Sequence, residues 1–133
     1  GDFCLDAYWI IDPDRSELSI ETHLPVQRVR QQRYGLGGAG NVVANLVDLG
    51  VGCVRCVALV GDDVFGREML RILRSLNVDV KGMVLGPDDW QTLVYAQPYV
   101  DGEELHRLDY GAFNTISEAS TAALSATAKS VSL

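Results

Sequence analysis

The feature that most restricts this chain is a glycine-rich turn, Tyr34-Gly35-Leu36-Gly37-Gly38-Ala39-Gly40-Asn41, lying between two segments of opposite character. Before it, Val26-Gln27-Arg28-Val29-Arg30-Gln31-Gln32-Arg33 is polar and rich in arginine. Such a segment suits an exposed, one-sided antiparallel strand, because strands in the middle of a parallel sheet are apolar on both faces. After the turn, residues 41–49 carry Val42, Leu46 and Leu49 at helical spacing, with Gly50 as the stop. A strand turning through glycines into a helix is an α/β beginning.

The turn has three readings. Gly35, Gly37 and Gly40 satisfy the G-x-G-x-x-G dinucleotide fingerprint, and Asp62 follows about 20 residues on. That fingerprint needs a buried apolar strand before it, and Arg28, Arg30 and Arg33 occupy that place instead. In the second reading, Gly37-Gly38-Ala39-Gly40-Asn41 lets the backbone approach a ligand, and the helix start turns free N–H groups toward it. The Asn41 amide can both donate and accept. Asp6, at the end of a first strand, would face the same crevice, since ligands bind beyond the carboxyl ends of such strands. A carboxylate and an amide over a glycine bed make a polyol site. In the third reading, the turn only packs and Asn41 only caps the helix.

The rest of the chain fits an α/β rhythm. Gly1-Asp2-Phe3-Cys4-Leu5-Asp6 reads as the end of a buried strand, and residues 16–33 as alternating strand with Leu18 and Ile20 on one face. Residues 53–60 are a short apolar run and predict a buried strand. Residues 61–66 read as a loop and 67–76 predict a helix with Met69, Leu70, Leu73 and Leu76 at helical spacing; Asp62-Asp63 is expected to cap this helix, counted from 64, and 78–84 predict a further strand. Asp101-Gly102 between 92–100 and 104–110 predicts a hairpin. Residues 117–129 predict a helix capped by Ser117 or Thr115, and Ser130-Val131-Ser132-Leu133 the start of another strand. The polar pieces 16–33 and 92–110 are expected to pair as a small second sheet. Both ends read as cut through sheet strands.

Composition narrows the function classes. The hydrophobic fraction of 47% supports a packed core. A net charge of −7 argues against nucleic acid or an anionic membrane as partner, since both select clustered positive charge. No apolar run reaches the ~20 residues of a membrane span, and an odd three cysteines make no disulfide framework; a reducing, cytoplasmic setting is expected.

Several stretches in fixed order resemble the ribokinase (PfkB) carbohydrate kinase family, most of all the heptose-7-phosphate kinase domain of ADP-heptose synthesis enzymes. They are Gly1-Asp2-Phe3-Cys4-Leu5-Asp6-Ala7-Tyr8-Trp9, Leu24-Pro25-Val26, Gly37-Gly38-Ala39-Gly40-Asn41-Val42, Asn45-Leu46 with Leu49-Gly50, Val60-Gly61-Asp62-Asp63 with Gly66, and His106-Arg107-Leu108-Asp109-Tyr110. The resemblance implies a ribokinase-like α/β fold, a parallel sheet flanked by helices plus a small antiparallel β lid (about 14–34 and 91–110), incomplete because residues 1–133 match only the N-terminal half of the family domain. It implies that Asp6, Gly37, Gly38 and Asn41 bind sugar hydroxyls and that Arg107 meets a substrate phosphate, unless Glu103 or Asp109 pairs with that arginine. It also implies ATP and Mg as cofactors of the complete enzyme, with the catalytic Asp beyond Leu133. The isolated chain is then expected to be inactive and to bind no cofactor tightly, and a homodimer through the lid is implied. Two departures are Val43, where the family has a small residue, and one extra residue between Gly50 and Gly61. The alternatives are a non-catalytic fragment that self-associates through its lid sheet and a dinucleotide-binding fragment.

The remaining signals read as structural. Cys53-Val54-Arg55-Cys56 lacks the second pair that zinc requires, and its sulfurs would point to opposite strand faces, so both are expected as buried thiols. His23 and His106 read as lid surface, Asp12 and Asp14 as a solvated turn about Pro13, and Trp9 and Trp90 as packing residues.

Overall fold

A computed structural model describes residues 2–131. Its central element is β1 (Phe3–Leu18), a 16-residue strand. A turn at residues 19–24 leads to β2 (Pro25–Gly38), which returns antiparallel beside it, Asp6 opposite Gly35 and Tyr8 opposite Arg33. On its other side β1 pairs in parallel with β5 (Val94–Val100), Leu5 beside Val94 and Ala7 beside Ala96. The short strands β6 (Glu103–Glu104) and β7 (Leu108–Tyr110) pair antiparallel with the two ends of β5. A separate two-stranded parallel sheet holds β3 (Arg55–Val60) and β4 (Asp79–Leu85). The result is an α/β arrangement of a mixed five-stranded sheet and a separate parallel pair of strands.

Period-two alternation along β1 sorts its side chains. Leu5 and Ala7 turn inward and are completely buried, as are their partners Val94 and Ala96. Helix α1 (Ala39–Asp48) adds Val43 to this core, and α2 (Val64–Ser75) adds Met69 and Leu73. Each such fully buried aliphatic side chain stabilises the fold by roughly 1.5–3 kcal/mol. The Asp63 carboxylate caps α2, accepting from Gly66 N at 2.7 Å, and its other oxygen accepts from Thr92 N at 2.8 Å. This one side chain ties the helix start to the chain entering β5. Phe65 then packs between Tyr34 and Tyr110, with ring centroids 6.4 and 5.3 Å away. Ser117 caps α3 (Glu118–Val131), its hydroxyl accepting from Ser120 N.

Several expectations are corrected. The segments 16–33 and 92–110 do not pair with each other, because β1 lies between β2 and β5. Asp6 lies inside a strand rather than at its end. Asp12 and Asp14 belong to β1, not to a turn; the register shifts between Asp12 and Glu17, and Asp12 pairs with Arg30 at 3.1 Å. Ile20 falls in the connecting turn, 92% exposed, off any strand face. On α1, Val42, Leu46 and Leu49 face outward and Val43 faces in, because Gly40 and Val43 are the positions set against β2 and the core. Cys53 is exposed, since β3 begins only at Arg55, whereas Cys56 is buried. Ser130 and Val131 extend α3 instead of starting a strand; Ser132 and Leu133, like Gly1, lie outside the described residues.

Candidate functional site

Cys4, Asp6 and Tyr8 occupy the face of β1 opposite the core. Register brings Gly37, Gly35 and Arg33 of β2 to the same face, with Tyr95 and Gln97 of β5 and Asp109 of β7 on the other side. Asp6 therefore sits in a row that runs Gly35, Asp6, Tyr95, Asp109 across the sheet.

The glycines make room for that carboxylate. A Cβ at position 37 would stand 2.5 Å from Cys4 Sγ and 3.0 and 3.2 Å from Asp6 Oδ2 and Oδ1. The Asp6 carboxylate thus lies against the bare backbone of Gly37, and the two pieces joined by the polyol reading share one surface. Gly38 needs glycine for two reasons: its φ is +54°, and a Cβ there would stand 2.4 Å from the Asp2 carbonyl oxygen. That same carbonyl accepts from Ala39 N at 2.9 Å, so the first turn of α1 is pinned to the entry of β1.

Asn41 is the third residue of α1. It is exposed and makes no side-chain hydrogen bond among the described residues, and the N-cap, Gly38, has no side-chain cap bond. The capping reading of Asn41 falls, and its amide is left available. The Asp6 carboxylate also has no hydrogen-bond partner among the described residues. It is half-buried, and burial pushes its carboxyl above the ordinary aspartate value while the Arg107 charge pulls it down. The Cys4 thiol beneath is pushed up by burial, then by Asp6 and Asp2.

Arg107 reaches this face by lying over the Tyr95 ring, 4.6 Å from its centroid. Its guanidinium is engaged bidentately by Asp109, Nε to Oδ1 at 2.7 Å and Nη2 to Oδ2 at 2.9 Å. The ion pair with Asp109, rather than Glu103, is the one that forms. Beyond Tyr8 an open cleft of about 450 Å³ is lined by Tyr8, Ile10, Arg33, Tyr34, Gly35 and Tyr99. Cys4 and Tyr8 are site neighbours that two-residue alternation from Asp6 could have identified. Arg33, Tyr95 and Tyr99 could not be found that way, because strand register alone brings them together.

The other sequence signals are structural here. Asp62 pairs with Arg67 at 3.0 Å, and His23 and His106 are exposed. The strand before the glycine turn is the sheet's antiparallel edge, which rules out the buried parallel strand of a dinucleotide site. Among the described residues no three His, Cys, Asp or Glu side chains group as metal ligands.

Comparison with known proteins bears on the family and the fold. The family model described as pfkB family carbohydrate kinase matches residues 4–126. The chain is 32% identical over 109 residues to Bifunctional protein HldE of Helicobacter acinonychis, covering 82% of this chain and 23% of that protein. The Shewanella denitrificans protein of the same name is 33% identical over 110 residues, covering 83% and 22%. The chain therefore spans less than a quarter of the length of these relatives. Among solved structures, a carbohydrate kinase from Agrobacterium tumefaciens aligns with a TM-score of 0.61 at 23% identity, over 82% of this chain and 33% of that one. A ribokinase from Cryptococcus neoformans in complex with ADP aligns at 0.57 and 18% identity, over 91% and 36%.

Proposed function

The chain belongs to the pfkB family of carbohydrate kinases, and on that premise we propose that it is the sugar-binding and lid part of an ATP-dependent kinase acting on a heptose 7-phosphate or a similar sugar. The observation that carries this reading is the Asp6 carboxylate lying free against Gly37, with the unpartnered Asn41 amide in the helical turn that follows. A carboxylate without a protein donor is an acceptor for paired hydroxyls, and an amide supplies both complementary functions. Gly37 and Gly38 let a sugar ring approach the backbone, and Arg107, stacked on Tyr95 and held by Asp109, walls the site on the β5 side. In the complete enzyme ATP is the phosphoryl donor and Mg balances its charge. Phosphoryl transfer is chiefly positioning and electrostatic stabilisation around that complex. These 133 residues by themselves are expected to bind sugar without turning it over, in a cytoplasmic setting where ATP is available.

The test is calorimetric titration of heptose 7-phosphate into the 133-residue chain and its Asn41→Ala variant. Asn41 has no side-chain hydrogen bond to lose among the described residues, so affinity should fall about tenfold or more, the range of one or two hydrogen bonds, with folding unchanged. Equal affinity in both proteins would remove Asn41 from the site. A second reading, self-association through the lid, is favoured by one observation: β2 is a 14-residue strand at the sheet edge, the kind of unpaired ladder another chain can join. Sedimentation equilibrium giving a monomer across a wide concentration range would dismiss it.

A further inference from the structure

Arg107 is not the only guanidinium on the ligand face. Arg33 stands directly opposite Tyr8, one row beyond the Gly35–Asp6 row. It forms no ion pair among the described residues; its one side-chain hydrogen bond is Nη2 to Gln31 Oε1 at 3.1 Å, to a neutral amide on the same strand face. Arg107 is neutralised by Asp109, whereas Arg33 has no carboxylate partner among the described residues. Arg33 also lines the open cleft of about 450 Å³, together with Tyr8, Ile10, Gly35 and Tyr99. In a chain with a net charge of −7, a guanidinium at the mouth of a cleft with no carboxylate partner among the described residues is a donor open to an anionic group.

We propose that Arg33, with the Tyr8 hydroxyl, forms an anion subsite for the phosphoryl group of a sugar phosphate whose ring lies over Gly37 and Asp6. The proposal rests on the sugar-site reading above and adds which end of the substrate is charged and where it points. From Asp6 to Tyr8 is two strand residues, about 7 Å along β1, a span that a sugar ring with its exocyclic arm can cover. A guanidinium offers a phosphoryl group two parallel N–H donors. The Tyr8 ring packs on Tyr99 at 6.2 Å, which orients it, and its hydroxyl makes no hydrogen bond among the described residues. Tyr99, in contrast, already donates to Glu104 at 3.3 Å, so its hydroxyl is committed. After burial, the Asp6 and Glu104 charges push the Tyr8 phenol up; the same charges disfavour a bare anion and leave binding dependent on the sugar ring.

The experiment compares heptose 7-phosphate with unphosphorylated heptose on the parent chain and on Arg33→Gln, by calorimetry, with inorganic phosphate as a third ligand. Expected is a loss of about tenfold to a hundredfold for heptose 7-phosphate on Arg33→Gln, with the affinity for heptose unchanged and inorganic phosphate weak on both proteins. An unchanged affinity for heptose 7-phosphate, or an equal loss for both sugars, overturns the subsite while leaving the sugar site standing. Failure of the parent chain to bind either sugar overturns the sugar site and the subsite with it. Because Arg33 is exposed and its one side-chain bond among the described residues is to Gln31, Arg33→Gln should fold normally; Arg107→Gln, which should affect both sugars alike, serves as the contrast.

Discussion

Substituting Gly37 by alanine tests the closest contact in the site. The new methyl would meet Cys4 Sγ at 2.5 Å, well inside van der Waals contact, and Asp6 Oδ2 and Oδ1 at 3.0 and 3.2 Å. Gly37 does not have positive φ, so backbone strain contributes nothing and the cost is overpacking. Cys4 is 6% exposed and lies in a strand paired on both sides, so it has little freedom to yield. Overpacking at such a position costs about 1–3 kcal/mol. For a chain of this length that is a fall in melting temperature of about 4 °C per kcal/mol. Cys4→Ala alone removes one buried sulfur, a loss of about 1 kcal/mol on the scale of a buried methylene. In the double variant the methyl occupies space the sulfur has vacated. Its destabilisation should therefore fall short of the sum of the single changes by about 1–2 kcal/mol, a coupling of the size contacting residues show. Urea unfolding of the four proteins gives this cycle directly. The carboxylate contacts remain in the double variant, so it should regain stability and still bind heptose 7-phosphate weakly. Additive destabilisation, or a neutral Gly37→Ala, would refute the placement of Cys4 and Asp6 against this glycine.

The Asp6 carboxyl titrates above its ordinary value because burial penalises its charged form, with Arg107 opposing. The folded chain then holds this proton more tightly than the unfolded chain. The associated stability is present below the unfolded value and is lost as pH rises through the folded one. Asp6→Asn should therefore raise the urea midpoint more at pH 7 than at pH 3, while weakening sugar binding; an equal gain at both pH values would contradict the burial argument. Asp63→Ala removes the α2 cap and the acceptor of Thr92 N together, and should cost about 1–3 kcal/mol in thermal unfolding, with Asp63→Asn recovering part of it. A change within 0.5 kcal/mol, roughly the range of surface substitutions, would mean that neither bond contributes.

Much of this architecture was legible in local sequence. The polar run before the glycine turn marked β2 as an exposed antiparallel strand, and β2 is the sheet's edge. Asp101-Gly102 marked a tight turn, and both residues have positive φ, 52° and 86°. Asp63 was readable as a cap because capping depends on residues three apart. Harder to read were Val42, Leu46 and Leu49. They form an apolar stripe of good helical period, yet they face outward, because the close approach of Gly40 to Leu36 sets which side of α1 meets the sheet. Periodicity reports that a helix has an apolar side, not which side a neighbouring strand will cover.

Sequence alone determined the chemical parts: a carboxylate at 6, a bed of glycines at 37 and 38, an amide at 41, and an order of motifs shared with a kinase family. Those are local properties, written in side-chain type and in the backbone freedom of glycine. Tertiary structure decided which parts meet. The placement of β1 between β2 and β5 puts Asp6 over Gly37, brings Arg107 to this face beside Asp109 and sets Arg33 opposite Tyr8 with no ion pair among the described residues. Strand pairing is a non-local choice, made by burying Leu5, Ala7, Val94 and Ala96 together, and no window of neighbouring residues contains that information.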